Sequence, residues 1–347
     1  MNSPIINPSY SKDKSVAVII PFFNGVQWVE RAIQSVLSQT IKPNEFIIVN
    51  DGSSAKEKNA IEFLKSKYQF QLVHKENGGQ GSARNFGASI SHSNYLCFLD
   101  QDDFYLPTHI EDLVNALPSN DPLFGFVYAD LYVADVDGKI IFSDCVRERG
   151  PHPKRSIVDL IQRDMFVLPS ASIISKEAFD MVNGFDLQFM GYEDDDLFLR
   201  IYRSGYSNYF LDKAVTVWCI HSESTSYSIK MVRSRFKYFK KLTESFPDDH
   251  SRALYFFRDC IMPRFTKPFI LEAIQSLKTK NLNSQEIIQM LKDYSVVVSK
   301  NPYVSEKQKY KLKSLVWMLD TLPPKLVLIC FKFSHTKIYQ KLARQYL

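Results

Sequence analysis

Patterned cysteine is missing from this chain. Its five cysteines, Cys97, Cys145, Cys219, Cys260 and Cys330, are widely spaced and form no CxxC pair. That excludes a disulfide framework and a structural zinc site, and fits a reducing compartment. Long apolar runs are missing too. Near the carboxyl end the longest, 326–331, falls far short of the roughly 20 residues needed to cross a bilayer, so no transmembrane helix is expected. The opening MNSPIINPSYSKDK lacks the basic start and apolar stretch of a secretory signal, and the expectation is a cytoplasmic protein. No internal repeat or low-complexity tract is visible. What is present is an ordinary globular balance, 45% hydrophobic and 23% charged over 347 residues, which excludes disorder and collagen and allows one large catalytic unit or two domains.

The net charge of +5 hides two unlike parts. Residues 1–229 carry 20 Lys+Arg against 29 Asp+Glu, net −9, and residues 230–347 carry 23 against 9, net +14. A basic segment after an acidic body suggests an anionic partner, a membrane surface or a phosphate-rich molecule. A solvated lysine-rich helical face is the plainer alternative. No nucleic-acid-binding motif accompanies the charge, so nucleic acid is not expected.

The first hundred residues alternate short apolar runs with amphipathic stretches. Strands are expected at Val16–Ile20, Phe46–Val49, Gln71–Val73 and Tyr95–Leu99, with helices over 26–37, 55–66 and 80–90 between them. This alternation argues for a parallel sheet with its ligand beyond the carboxyl ends of the strands. Further on, Phe124–Val133 and Lys139–Phe142 read as a hairpin, 176–182 and 195–204 as helices with Gly205 as a stop, and Val215–Trp218 as a last strand. After about 230 only helical segments remain, separated by Pro247, Pro263, Pro268, Pro302 and the Pro323–Pro324 pair. The expected domains are 1–229 and a basic helical 230–347.

Polar residues gather where each predicted strand ends: Pro21 to Asn24, Asn50 to Ser54, Asn77 to Gly81 with Arg84, and Asp100 to Asp103. Four strands delivering such residues to one sheet edge describe a ligand cleft. Asp100 and Asp102 could divide the labour, one accepting from ribose hydroxyls while the other holds a divalent cation carrying a diphosphate. An acidic turn capping the helix after Pro107 is the bland alternative. Glycines 78, 79 and 81 could offer amides to an anion, although they match neither the dinucleotide fingerprint nor the phosphate loop. Arg84 could pair with a carboxylate or phosphate, or form a surface salt bridge. Residues 193–196 place four acids at a helix start, favourable for the dipole alone but more than capping needs; like-charge repulsion there suits a general base. His221 follows the last strand as a metal-ligand candidate or a structural histidine.

VAVIIPFFN, EFIIVNDGSS, NGGQGSARNFG, YLCFLDQDD, VNGFD and GYEDDDLFLR, in this order over about residues 15–228, resemble the family 2 glycosyltransferases. The resemblance implies an α/β GT-A fold, the Rossmann-like mixed sheet of nucleotide-diphospho-sugar transferases, followed here by a smaller all-helical C-terminal region. It implies inverting transfer from a nucleotide sugar, with Mn²⁺ or Mg²⁺ as cofactor. Carried over, Pro21, Phe22 and Asn24 line the nucleoside pocket and Asp51 contacts the base. Asn77, Gly79, Arg84, Asp100 and Gln101 lie along the nucleotide. Asp102 and His221 hold the metal. Asp194 is the catalytic base, with Glu193 beside it in acceptor binding. Two departures stand out: Asn50 replaces a common aspartate and Cys219 a common arginine. Processive members carry a QxxRW motif and transmembrane helices that are not seen here, so a non-processive hexosyl or N-acetylhexosaminyl transferase is expected. By family tendency its donor is a UDP-sugar. Its acceptor is a glycan or lipid-linked hydroxyl in bacterial cell-surface glycan synthesis, reached by peripheral association of 300–347 with the anionic inner face of the membrane. The alternative is a non-catalytic nucleotide-sugar or glycan-binding protein. A nucleotidyltransferase is disfavoured, because PFFNGVQWVE lacks the glycine-rich basic loop that such enzymes need after strand one.

Overall fold

The computed structural model describes residues 13–221 and 228–328. The opening segment, the later part of WCIHSESTS, Cys330 and half of the 326–331 run lie outside the described residues. The chain divides into two compact units, 13–160 with Asp164–Ser234, and Ile161–Arg163 with 235–328.

The first unit opens with β1 (Val16–Phe22), α1 (Val26–Leu37), β2 (Glu45–Asp51), α2 (Ala55–Lys67), β3 (Gln71–Lys75), α3 (Gln80–Ile90) and β4 (Tyr95–Phe98). Every residue of β1 is buried, as a central parallel strand covered on both faces requires. β1 pairs in parallel with β2 and β4, and β2 with β3, so these strands end at one edge.

Beyond them come β5 (Phe104–Tyr105), α4 (His109–Asn115), β6 (Phe124–Ala134), β7 (Ile140–Phe142), α5 (Ile157–Ile161), β8 (Ser172–Ser175), α6 (Lys176–Met181), α7 (Glu193–Arg203) and β9 (Ser207–Cys219). The nine strands form one mixed sheet, ordered β3-β2-β1-β4-β8-β6-β9-β5, with β7 beside β6. The expected hairpin is β6 and β7, paired antiparallel. β5 and β8 were not expected from the sequence. β9 runs thirteen residues where only its buried end, Val215–Trp218, was expected. α7 starts at Glu193, two residues before its expected position, so all four acids sit in its first turn. Gly205, with φ +90°, follows α7 as the expected stop.

α8 (Ile229–Ser245) leads from the first unit into the second, which holds α9 (Met262–Lys278), α10 (Ser284–Lys300) and α11 (Glu306–Thr321). Phe239 lies within ring contact of Phe257, Phe265, Phe269 and Tyr294, an aromatic core. Two of the prolines expected to separate helices do not. Pro263 sits where a π-helical turn, Phe257–Ile261, passes directly into α9, and the helix runs on through Pro268 at the loss of one backbone hydrogen bond. Buried Phe265, Phe269 and Ala273 hold α9 in place regardless. Among the described residues no helix is long and apolar enough to cross a membrane.

Gly87 fixes how closely α3 approaches the sheet. A Cβ there would stand 2.5 Å from Ile19 Cγ2 and 3.2 Å from Val49 Cγ2, both on fully buried side chains. Gly87→Ala gains up to about 1 kcal/mol of helix propensity, but overpacking costs about 1–3 kcal/mol. Net destabilisation is expected, read as a lower urea midpoint; a midpoint equal to the parent's would refute the close packing.

Candidate active site

The strand ends are laced together by side chains. At the end of β1, Phe22 is fully buried in the core, while Phe23 beside it is 46% exposed. Pro21 is buried and Asn24 exposed, the latter with φ 47°. Asn24 joins β1 to the turn after β2: its amide donates to Ser53 Oγ at 3.0 Å, and its Oδ1 accepts from the Ser54 amide at 2.9 Å. Gln101 joins β1 to the turn after β4, its Oε1 accepting from the Phe23 amide at 2.9 Å and its Nε2 donating to the Phe23 carbonyl at 3.2 Å.

Asp51 organises the glycine loop. Its buried carboxylate accepts from Lys75 Nζ at 2.6 Å, from the Gly78 amide at 3.0 Å and from the Gly79 amide at 2.7 Å. Asn77 Nδ2 donates to the Asp51 carbonyl at 2.9 Å. These amides therefore converge on a carboxylate of the chain. Asn50 reaches His74 Nδ1 at 2.9 Å and holds the turn through the Ser53 amide.

Arg84 is the hinge of the site. Its side chain is 3% exposed, with Nη2 on Asp100 Oδ1 at 2.5 Å and Nη1 on Glu193 Oε1 at 3.2 Å. Burial disfavours its charge, but Asp100 and Glu193 together outweigh that and raise its proton affinity. Gln80 adds a bond to Asp100 Oδ1 at 2.6 Å. The next residue, Asn85, exchanges two 2.8 Å bonds with the backbone of Phe185. The NGGQGSARNFG and VNGFD segments thus meet.

The four acids of α7 have different work. Gly191, at φ +124°, and Tyr192, at φ 65°, turn the chain into the helix, and a Cβ at 191 would meet Met231 Sδ at 2.8 Å. Glu193 Oε2 accepts from the Gly191 amide at 2.7 Å. Asp195 accepts from the Met165 amide at 3.3 Å, and Asp196 binds Arg200 Nε at 2.7 Å. Among the described residues Asp194 accepts from the amide of Asp195, at 2.9 Å. Loss of water around it, then the charges of Asp195 and Glu193, hold its carboxyl well above the usual range. Like-charge repulsion was legible in the sequence; the larger cause, burial, was not.

Residues 100–103 form a turn closed by the Asp103 amide on the Asp100 carbonyl at 3.1 Å. They are not extended, and Asp100 and Asp102 find different partners. Asp102 Oδ2 lies 2.8 Å from His221 Nε2, and His221 stacks on Trp28 with ring centroids 4.5 Å apart. Burial, then the charge of Asp100, raises the Asp102 carboxyl above its ordinary range. Asp103 is buried, accepts from the Cys219 amide at 2.9 Å, and is held higher still by burial and its two neighbours. Among the described residues no group of three or more His, Cys, Asp or Glu could by itself hold a metal ion.

Sequence reasoning missed Arg31. From α1 it donates to the Asp102 carbonyl at 2.8 Å, to Cys219 Sγ at 3.2 Å and to the Val136 carbonyl at 3.1 Å, beneath the ring of Phe104. It ties the acidic turn to the strand end that carries His221. A lone arginine on an amphipathic helix gave no signal of this. Trp28, the stacking partner of His221, was equally silent.

The profile described as "Glycosyl transferase family 2" matches residues 17–181, and that of the "N-terminal domain of galactosyltransferase" matches 169–223. An uncharacterized glycosyltransferase of Rickettsia bellii is 31% identical over 217 residues, 62% of this chain and 31% of that protein. One from Rickettsia prowazekii is 30% identical over 221 residues, 61% of this chain and 65% of that protein. The chain thus spans from about a third to just under two thirds of the length of these relatives. Among solved structures it is similar to Staphylococcus aureus TarS 1-349 in complex with UDP-GlcNAc (TM-score 0.61, 14% identity, 87% of each chain). It is also similar to the mannosyltransferase PcManGT of Pyrobaculum calidifontis in complex with GDP-Man and Mn²⁺ (TM-score 0.53, 15% identity, 91% of this chain and 89% of that one). The fold is therefore GT-A, and residues 17–181 match glycosyltransferase family 2.

Proposed function

We propose that this protein is a non-processive, inverting glycosyltransferase that moves a sugar from a nucleotide-sugar donor, with UDP as the nucleotide, to the hydroxyl of a glycan or lipid-linked acceptor in bacterial surface-glycan synthesis. The carrying observation is Arg84, whose one buried guanidinium joins Asp100 at the strand edge to Glu193 at the start of the acid helix. This tie supports reading a nucleotide edge and a general base as parts of one site. The similarity to TarS with UDP-GlcNAc supports the choice of donor.

In this reading the donor lies across the ends of β1, β2 and β4. Asn24 and the exposed Phe23 border the nucleoside, with Pro21 behind them. The Asp51-anchored loop, Asn77 to Gly79, frames the base. Arg84, Gln80 and Gln101 hold Asp100 and the strand edge in place for the ribose. Asp194 takes the proton of the acceptor hydroxyl as its oxygen attacks the anomeric carbon opposite the diphosphate, and Glu193 holds the helix start that presents Asp194. Its raised proton affinity makes Asp194 a stronger base than an ordinary carboxylate. One displacement forms the glycosidic bond, breaks the bond to diphosphate and inverts the centre.

Asp102 Oδ2 and His221 Nε2, 2.8 Å apart, offer one hard oxygen and one imidazole nitrogen. This fits Mn²⁺ or Mg²⁺ with its remaining positions filled by donor oxygens and water. Such an ion, when bound, supplies positive charge to the leaving diphosphate.

Two measurements test these roles. Asp194→Asn is expected to lower sugar transfer by about 10²–10⁴-fold while UDP binding, by calorimetry, stays at the parent's level; in the parent, kcat should climb with pH through a limb above the ordinary carboxylate range. Near-normal turnover in the variant, or a limb near pH 4, would refute the base assignment. Asp102→Ala is expected to abolish the gain in UDP affinity that Mn²⁺ confers and to leave metal-free binding alone; an unchanged gain would place the metal elsewhere. A parent chain that binds UDP with Mn²⁺ but releases no nucleotide from any donor and acceptor would be a binding protein.

A further inference from the structure

One face of α11 is unlike an ordinary solvated helix surface. Its inner face buries Leu312, Val316 and Leu319. On its outer face, Tyr310 and Trp317 are 74% and 61% exposed, seven residues and thus two turns apart on the same side. Lys307, Lys311 and Lys313 stand around them, all exposed. The acids of α11 are engaged by other lysines: Glu306 pairs with Lys309 at 2.8 Å, and Asp320 with Lys292 at 2.7 Å. Lys307, Lys311 and Lys313 make no ion pair among the described residues. The face is therefore cationic, with two large amphipathic rings set among the charges.

We propose that this face of α11 docks on an anionic phospholipid bilayer. Lysines alone would suit any polyanion. The rings favour lipid, because an aromatic side chain with a polar edge partitions into the headgroup layer and gains little from a fully hydrated polyanion. An isolated exposed aromatic residue would need no explanation; two on one stripe, ringed by unpaired lysines, match an interfacial helix lying flat with its other face committed to its own unit. Charge complementarity extends beyond the helix, since residues 230–347 carry net +14. The proposal does not depend on the catalytic reading.

The test is sedimentation of the full chain with vesicles of phosphatidylglycerol and phosphatidylcholine, against vesicles of phosphatidylcholine alone. Binding is expected to the anionic vesicles and to fall with salt. Reversing Lys307, Lys311 and Lys313 together to Glu should lower it by at least about a hundredfold, given the contribution of each basic residue near such a surface. Trp317→Ala should lower it by roughly tenfold, the scale of burying part of a large ring. All five side chains are exposed, so the variants should keep the parent's unfolding midpoint. Quenching of fluorescence by brominated lipid, lost in Trp317→Phe, reads the docking without altering charge. Equal binding to neutral vesicles, or undiminished binding after charge reversal, would overturn the proposal. So would displacement by soluble polyphosphate with no contribution from Trp317, which would assign the face to a polyanion.

Discussion

The site depends on one buried charge. A guanidinium removed from water is tolerable only with carboxylates and hydrogen bonds around it, and removal of one partner from such a pair costs about 3–5 kcal/mol. Arg84 meets that condition with Asp100 on one side and Glu193 on the other, residues 16 and 109 positions away in sequence. The same requirement that stabilises the arginine fixes the edge of the sheet against the start of α7. Asn85 repeats the constraint one residue later through the backbone of Phe185. Helix α3 therefore carries both ties, and its approach to the sheet, set by Gly87, determines where each of them falls.

The parts of the fold that were legible are those where burial and sequence share a period. β1 to β4 with their helices could be read because β1, β2 and β4 are built on short apolar runs and α1 buries Val29, Ile33 and Val36 on one face. β5, two residues, and β8, four residues, carry no alternation to detect and exist because neighbouring strands offer edges to pair with. β9 was visible only at its buried end; Ser207–Lys213 is largely exposed or half-buried and was held in the sheet by β6.

The site was legible to the extent that polar residues at strand ends have nowhere else to go. Asp51, Arg84, Asp100, Asp102, Glu193 and Asp194 all stand at such ends or helix starts. What composition could not convey was which partner each would take. Asp51 is turned inward to two amides of its own loop, Gln101 to the backbone of Phe23, and Asp195 and Asp196 to supporting bonds. Arg31 was invisible because its partners lie 71, 105 and 188 residues away, and only the folded sheet brings them together.

That distribution of partners bears on the acidic turn itself. Three carboxylates within four residues, all at least partly buried, repel one another and need compensation. Asp100 is answered by Arg84. Asp103 is answered by the Cys219 amide and, at longer range, by the charge of Arg31, whose own hydrogen bonds go to the Asp102 and Val136 carbonyls and to Cys219 Sγ. Both terminal nitrogens of Arg31 are thus committed to the chain, leaving it to steady the turn and contribute charge without a free fork for a phosphate. Asp102 has an imidazole rather than a guanidinium for its side-chain partner. Of the three acids it is the one with no arginine answering its carboxylate. The arginines already serve its neighbours, so a cation brought in from outside has Asp102 and His221 to act on. That order of commitments supports the division proposed for the site, with the sugar nucleotide held along the strand ends, the diphosphate and its ion at Asp102, and the base at Asp194 on the far side of Arg84.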